Sequence, residues 1–146
     1  MCIRDSTYVE RELLRPVGMT SARLRFDAAG TWIASSFVHA TARDWARFGL
    51  LHLHDGCIED GARLLPEGWV EHGTRLRSVD EDGDGYGAHW WVVDDGLGTF
   101  RASGFRGQWV LVAPARDLVA VRLGHGDESC GAANTAWRAA IVDAFA

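Results

Sequence analysis

The sequence predicts an α/β fold of the α+β type, an antiparallel sheet flanked by helices, and three observations predict it. Apolar residues recur at helical spacing through residues 42–54. The period then shortens, and residues 89–123 hold four strand-like runs joined by tight turns. A final apolar pattern at helical spacing, through Ala133, Trp137, Ala140, Ile141 and Ala144, supplies a helix to lay on that sheet.

Taken in order, Tyr8–Leu14 reads as the end of a helix, closed by Arg15-Pro16 and the turn Val17-Gly18-Met19. Residues 20–37 show no sustained period and read as an irregular, partly buried loop. The clearest helix runs from Ala42 to His54. Thr41 is its N-cap, Asp44 is placed to reach back to the exposed amides, and Gly56 closes the end. Its apolar face is Ala42, Trp45, Ala46, Gly49, Leu50 and Leu53. A shorter helix is expected from Pro66 to Thr74. The strands are His89–Val93, Thr99–Ser103, Gln108–Ala113 and Leu118–Leu123, a meander by virtue of its short links. Gln108–Ala113 is apolar on both faces, which predicts a central strand covered on two sides.

Composition bounds the function. At 146 residues the chain is one domain in size, with 47 % apolar and 24 % charged residues and a net charge of -5, so a nucleic-acid partner is not expected. All fifteen basic residues are Arg. Cys2, Cys57 and Cys130 have no metal-ligand spacing. Residues Met1-Cys2-Ile3-Arg4-Asp5-Ser6 hold a charged pair where a signal peptide would be apolar, and read as a translated adaptor or mis-called start. The domain is accordingly placed at residues 7–146.

Few residues suggest self-contained chemistry. His52 and His54 stand two apart on a helix and face different ways, so they are expected as surface or helix-end histidines and no metal is predicted. Asp80-Glu81-Asp82-Gly83-Asp84-Gly85 opens like a calcium loop. The twelfth position, where a bidentate carboxylate must close it, is Trp91, so a solvated acidic loop is expected. Gly-x-Ser-x-Gly is absent, and a chain without Lys has no Ser-x-x-Lys. What remains is Ala102-Ser103-Gly104-Phe105-Arg106-Gly107-Gln108. By itself this is a Gly-containing hairpin turn. Small residues there also allow a ligand close to the backbone, where an outward amide stabilises developing negative charge.

Several segments in order resemble the serine beta-lactamase-like superfamily, on its class C, esterase and 6-aminohexanoate-dimer hydrolase branch. They are Pro16-Val17-Gly18-Met19-Thr20-Ser21, Phe26-Asp27-Ala28-Ala29-Gly30-Thr31, residues 40–49, Leu64-Leu65-Pro66-Glu67-Gly68-Trp69, Tyr86-Gly87, Ser103–Gln108 and Val121-Arg122-Leu123-Gly124. The resemblance implies that this chain is the C-terminal portion of the beta-lactamase/transpeptidase-like fold. Such enzymes acylate a Ser of a Ser-x-x-Lys motif with help from a Tyr, both upstream of the matched region. A third element, often Lys-Thr-Gly, lines the cleft from a sheet edge, and Ala102-Ser103-Gly104 takes its place here.

That match implies that the Phe105 amide is an oxyanion donor, that Gly104 permits close approach, and that Ser103, Arg106 and Gln108 touch substrate or brace the loop. No cofactor is implied. The expected partners are a small ester or amide substrate and the missing N-terminal part of the same domain. Ala102 in place of Lys removes a cation suited to a beta-lactam carboxylate and favours an esterase or amidase. Family members are often exported or membrane-tethered, and no 20-residue apolar span occurs in this sequence. Without nucleophile or Tyr, the chain alone is expected to be inactive. The competing expectations are a non-catalytic binding module of the same fold and a small calcium-binding protein.

Overall fold

The computed structural model describes residues 7–34, 36–126 and 130–145, and the reading of residues 1–6 as a non-native start lies outside them. Helix α1 spans residues 7–17, with Glu10–Leu14 in a π register and Arg15–Val17 as its last turn. It does not stop at Arg15-Pro16. The Arg15 N–H reaches back five residues to the Glu10 carbonyl, and this wider turn accommodates a proline that has no N–H to place. Gly18 ends the helix at φ 80°. Its N–H bonds the Arg15 carbonyl, and Met19 N–H bonds the Leu14 carbonyl at 2.8 Å. Leu14 and Met19 are both buried, which completes a Schellman cap with its apolar contact.

The segment expected to be irregular contains a small antiparallel pair, β1 (Arg23–Leu24) with β2 (Val38–His39). Asp27 organises the turn between them, its Oδ1 accepting the Ala29 and Thr31 amides. Phe26, Ile33 and Phe37 are exposed rather than buried.

Helix α2 (Ala42–Leu53) begins as expected, Thr41 Oγ1 accepting the Asp44 N–H. Asp44 itself turns inward instead of back to the cap. It accepts the Ser21 N–H at 2.8 Å, the Ser21 hydroxyl at 2.6 Å and Arg47 Nη1 at 2.7 Å. Ser21 Oγ takes the Thr41 N–H, so a residue far upstream fills the reciprocal half of the cap. The apolar face differs too: Ala42 and Leu50 are exposed, whereas Leu51 and His52 are buried. The cause is a helix held on two sides. Leu51 joins Leu14, Val17 and Met19 of one cluster, while Phe48 and Leu53 pack on Trp90, Phe100 and Val112 of another. His52 was expected at the surface or a helix end, and it stands in the last turn of α2 but is buried. It lies between the rings of Phe48 and Trp90, at 4.6 and 4.7 Å, with Nδ1 2.9 Å from the Phe48 carbonyl. A carbonyl only accepts, so that nitrogen carries the proton. Helix α3 is Trp69–Thr74. Gly68 at φ 74° delays its start beyond Pro66, whose carbonyl accepts the Trp69 N–H.

The second half is one antiparallel sheet of six strands in chain order. They are β3 (Ser78–Val79), β4 (Gly85–Tyr86), β5 (Trp91–Val92), β6 (Phe100–Gly104), β7 (Gln108–Ala113) and β8 (Leu118–Arg122). The expected strand at 89–93 shortens to β5 because His89 has φ 70° and Gly87 N–H bonds the Trp90 carbonyl. That detour turns Trp90 into the core. The acidic run is the hairpin turn between β3 and β4: Asp80 Oδ1 accepts the Asp82 and Asp84 amides.

Strand β7 is interior, between β6 and β8, and covered on both faces. Val112 meets the α2 side; Trp109, Leu111 and Ala113 meet Val142 of helix α4 (Gly131–Ala144). Helix α4 docks through Trp137, Ile141 and Val142, with Ala133, Ala140 and Ala144 exposed. Among the described residues no helix is long and apolar enough to cross a membrane.

Two consequences are testable. A Cβ on Gly49 would stand 2.5 Å from Val119 Cγ1 and 3.2 Å from Val110 Cγ1. Gly49→Ala should destabilise the fold by about 1–3 kcal/mol through overpacking, despite alanine's better helix propensity; a raised Tm would contradict this contact. The second concerns acid. The Ser21 hydroxyl bond, with the Ser21 amide and Arg47, holds the Asp44 carboxyl below its usual range against the opposing effect of burial. Burial lowers the His52 pKa, opposed by the Phe48 carbonyl. Both folded values lie below the unfolded ones, so both groups favour the fold above their unfolded pKa and lose that as pH falls. His52 should act first, below about pH 6.5, and Asp44 below about pH 4. Thermal unfolding of His52→Leu and Asp44→Asn across pH should show each window flattened in turn; curves parallel to wild type would contradict the assignment.

Candidate active site

The turn singled out by the sequence sits at the end of the five-pair β6–β7 ladder. β6 and β7 pair from Phe100↔Val112 to Gly104↔Gln108, leaving Phe105, Arg106 and Gly107 as the connection. Arg106 and Gly107 are both left-handed, at φ 61° and 81°. A Cβ on Gly107 would also come 2.8 Å from Asn134 Nδ2, so glycine is required there by both conformation and space. Gly104 is different. A Cβ there would meet only Gln108, at 3.6 Å or more, so the protein's own packing does not demand glycine.

The Phe105 side chain is 78 % exposed. Its carbonyl accepts Gln108 Nε2 at 3.3 Å, while its N–H meets no acceptor among the described residues. The Arg106 guanidinium lies 5.3 Å from the Phe105 ring centroid. Arg106 Nη1 is 3.0–3.1 Å from the ring nitrogens of His125, and the Arg106 carbonyl accepts the Gly126 N–H.

Ser103 faces the α4 side, opposite Ala102, which packs with the α2-side cluster. Its hydroxyl accepts Arg101 Nε at 3.2 Å. Arg101 is buried, lies over the Trp91 ring and pairs with Asp84, so the acidic turn is tied to the strand that carries the connection. Arg138 of α4 stands nearby; burial, then the Arg101 charge, lowers its pKa, with Asp84 opposing.

Of the five residues expected at the site, Ser103 and Gly104 end β6, Phe105 and Arg106 lie in the connection and Gln108 opens β7; Ser103, Arg106 and Gln108 each make a side-chain contact there. The sequence reading missed the supports Arg101, Arg122 and His125, and the closeness of Asn134 to Gly107. An arginine inside an apolar strand, followed by Gly124 and Gly126, was the available signal for Arg122. A separate open groove of about 440 Å³, between α1, α2 and residues 57–60, shares no lining residue with this turn.

Comparison with known proteins agrees with this architecture. The family model Beta-lactamase matches residues 6–144. A 6-aminohexanoate-dimer hydrolase of Paenarthrobacter ureafaciens is 34 % identical over 113 residues, 70 % of this chain and 28 % of that protein. A solved structure from Bacillus anthracis, described as a 6-aminohexanoate-dimer hydrolase, matches with a TM-score of 0.77 and 25 % identity, over 92 % of this chain and 37 % of that one. A Bacteroides dorei structure described as a beta-lactamase shares the fold, with a TM-score of 0.57 and 16 % identity over 82 % of this chain and 44 % of its own. The chain thus spans well under half the length of these relatives. With the family model matching almost end to end, it belongs to the beta-lactamase family.

Proposed function

We propose that this chain is the sheet-bearing part of a serine hydrolase that cleaves an ester or amide through an acyl-enzyme, and that the Phe105 N–H is one donor to its oxyanion. The observation that carries the reading is a turn whose Phe105 amide has no acceptor among the described residues, at the end of the five-pair β6–β7 ladder. Donors that are fixed before reaction stabilise a tetrahedral intermediate without reorganisation. Gly104 leaves the approach clear, and Ser103, Arg106 and Gln108 hold the turn or meet the substrate beside it.

The attacking serine, its base and the second oxyanion donor come from polypeptide outside residues 7–146. In acyl transfer the serine oxygen would add to the substrate carbonyl while its proton passes to that base; the carbonyl oxygen becomes the oxyanion at Phe105. The leaving alcohol or amine then takes a proton, and water releases the acyl group. The relatives named for 6-aminohexanoate dimer point to a linear amide as one substrate class. Ala102, where the family often has Lys, removes the cation at that position suited to a beta-lactam carboxylate and favours an ester or amide.

In the intact protein, Phe105→Pro should slow acylation on the order of a hundredfold, because it removes the donor; a rate close to wild type rejects the assignment. A fluorophosphonate probe should label the intact protein on a serine outside residues 7–146 and leave the 146-residue chain unlabelled. Absence of any labelled serine in the intact protein would favour a non-catalytic binding module instead.

A further inference from the structure

Arg122 has no role in the chemistry above, yet its guanidinium is built into the candidate oxyanion turn. Arg122 pairs with Trp109 in the β7–β8 ladder. From there Nη1 donates to the Gly107 carbonyl. Three glycines border the guanidinium. A Cβ on Gly107 would lie 3.2 Å from Nη1, one on Gly124 3.3–3.4 Å from Cζ and both terminal nitrogens, and one on Gly126 3.7 Å from Nη2. Of these only Gly107 has a positive φ, so at Gly124 the missing side chain serves space rather than conformation. The planar head occupies a slot that side chains at Gly107 or Gly124 would crowd.

The consequence lies in the three successive carbonyls of the turn. Phe105 O accepts Gln108 Nε2, Arg106 O accepts the Gly126 N–H, and Gly107 O accepts Arg122. The peptide planes that follow Phe105, Arg106 and Gly107 are thereby fixed. The Phe105 N–H lies in the plane just before them, held between this turn and the Gly104↔Gln108 end of the ladder. Two of the three donors come from β8 and the segment after it. Arg106 in a left-handed conformation would otherwise relax, since a non-glycine residue persists there only where its surroundings over-determine it, whereas Gly107 adopts it freely. A guanidinium suits this task because its donors are held in one plane, whereas an ammonium on a flexible stem fixes no plane.

We infer that Arg122 is a positioning residue: from its glycine-walled slot it locks the Phe105–Gly107 turn and so fixes the direction of the Phe105 N–H. This rests on the proposed role of that amide. The test uses the intact protein and a p-nitrophenyl ester. Arg122→Leu should lower kcat on the order of tenfold or more with KM within about twofold, because a donor used in the transition state is misaligned while substrate binding persists. Arg122→Lys should recover only part of kcat. Hydrogen exchange at Gly104 and Gln108, the ladder pair that closes the turn, should accelerate in Arg122→Leu while that of residues 109–113 stays at the wild-type rate. That exchange result reads the lock whether or not the ester is turned over.

Unchanged exchange at the turn overturns the lock. A kcat within twofold of wild type in Arg122→Leu, alongside a large loss in Phe105→Pro, overturns the positioning role and leaves the oxyanion reading standing. Wild-type rates in both variants overturn both. A fall in kcat matched by a fall in folded fraction, with normal exchange at the turn of the folded molecules, assigns Arg122 to stability alone and also overturns the inference.

Discussion

Helix α2 lies against the sheet at a distance set by a missing methyl group. Gly49 faces Val110 and Val119 so closely that a Cβ would sit inside the van der Waals radius of a valine methyl. That approach brings Phe48 and Leu53 onto Trp90, Phe100 and Val112, and it closes one face of β7. The opposite face is closed by Trp109, Leu111 and Ala113 against Val142, with Trp137 leaning on Trp109 at 5.3 Å. A strand buried on both faces has one register available, because a one-residue slip would exchange the two cores. The five-pair ladder with β6 inherits that register, and with it the placement of the turn at its end.

Two successive residues of the turn have positive φ, as tight hairpin turns often require, but Arg106 lacks glycine's freedom to adopt it. The surrounding contacts hold that conformation: Gln108, Gly126 and Arg122 satisfy its carbonyls while the Phe105 amide points away from them. Among the described residues, Arg106 and Arg122 bring guanidinium groups to the turn, and the buried Arg101 is matched by Asp84. Such surroundings favour a negative charge developing at the amide.

Local chemistry was legible in the sequence and partnership was not. Thr41 as a cap, the two-faced apolar pattern of Gln108–Ala113 and the turn from Ser103 to Gln108 each depend on residues within a few positions of one another. Asp44 looked like a capping-box acid because its spacing fits. The partner that draws it inward, Ser21, stands 23 residues upstream and reaches it only through the fold. His52 read as a surface or helix-end residue for the same reason: the ring that covers it belongs to Trp90. The extra strands β3 and β4 hold two residues each, too few for a period to show. At the site, the glycine-containing connection was visible, while Arg122, His125 and Asn134 come from elements that approach it only in three dimensions.

A structure of the intact protein inhibited by a phosphonate ester tests the central claim most directly. The phosphonyl oxygen mimics the oxyanion. It should lie about 2.7–3.1 Å from the Phe105 nitrogen, the range for an oxyanion donor, with the turn unchanged from the conformation described above. A phosphonyl oxygen held by other donors, with the Phe105 amide facing solvent, would contradict the assignment of this turn to the active site.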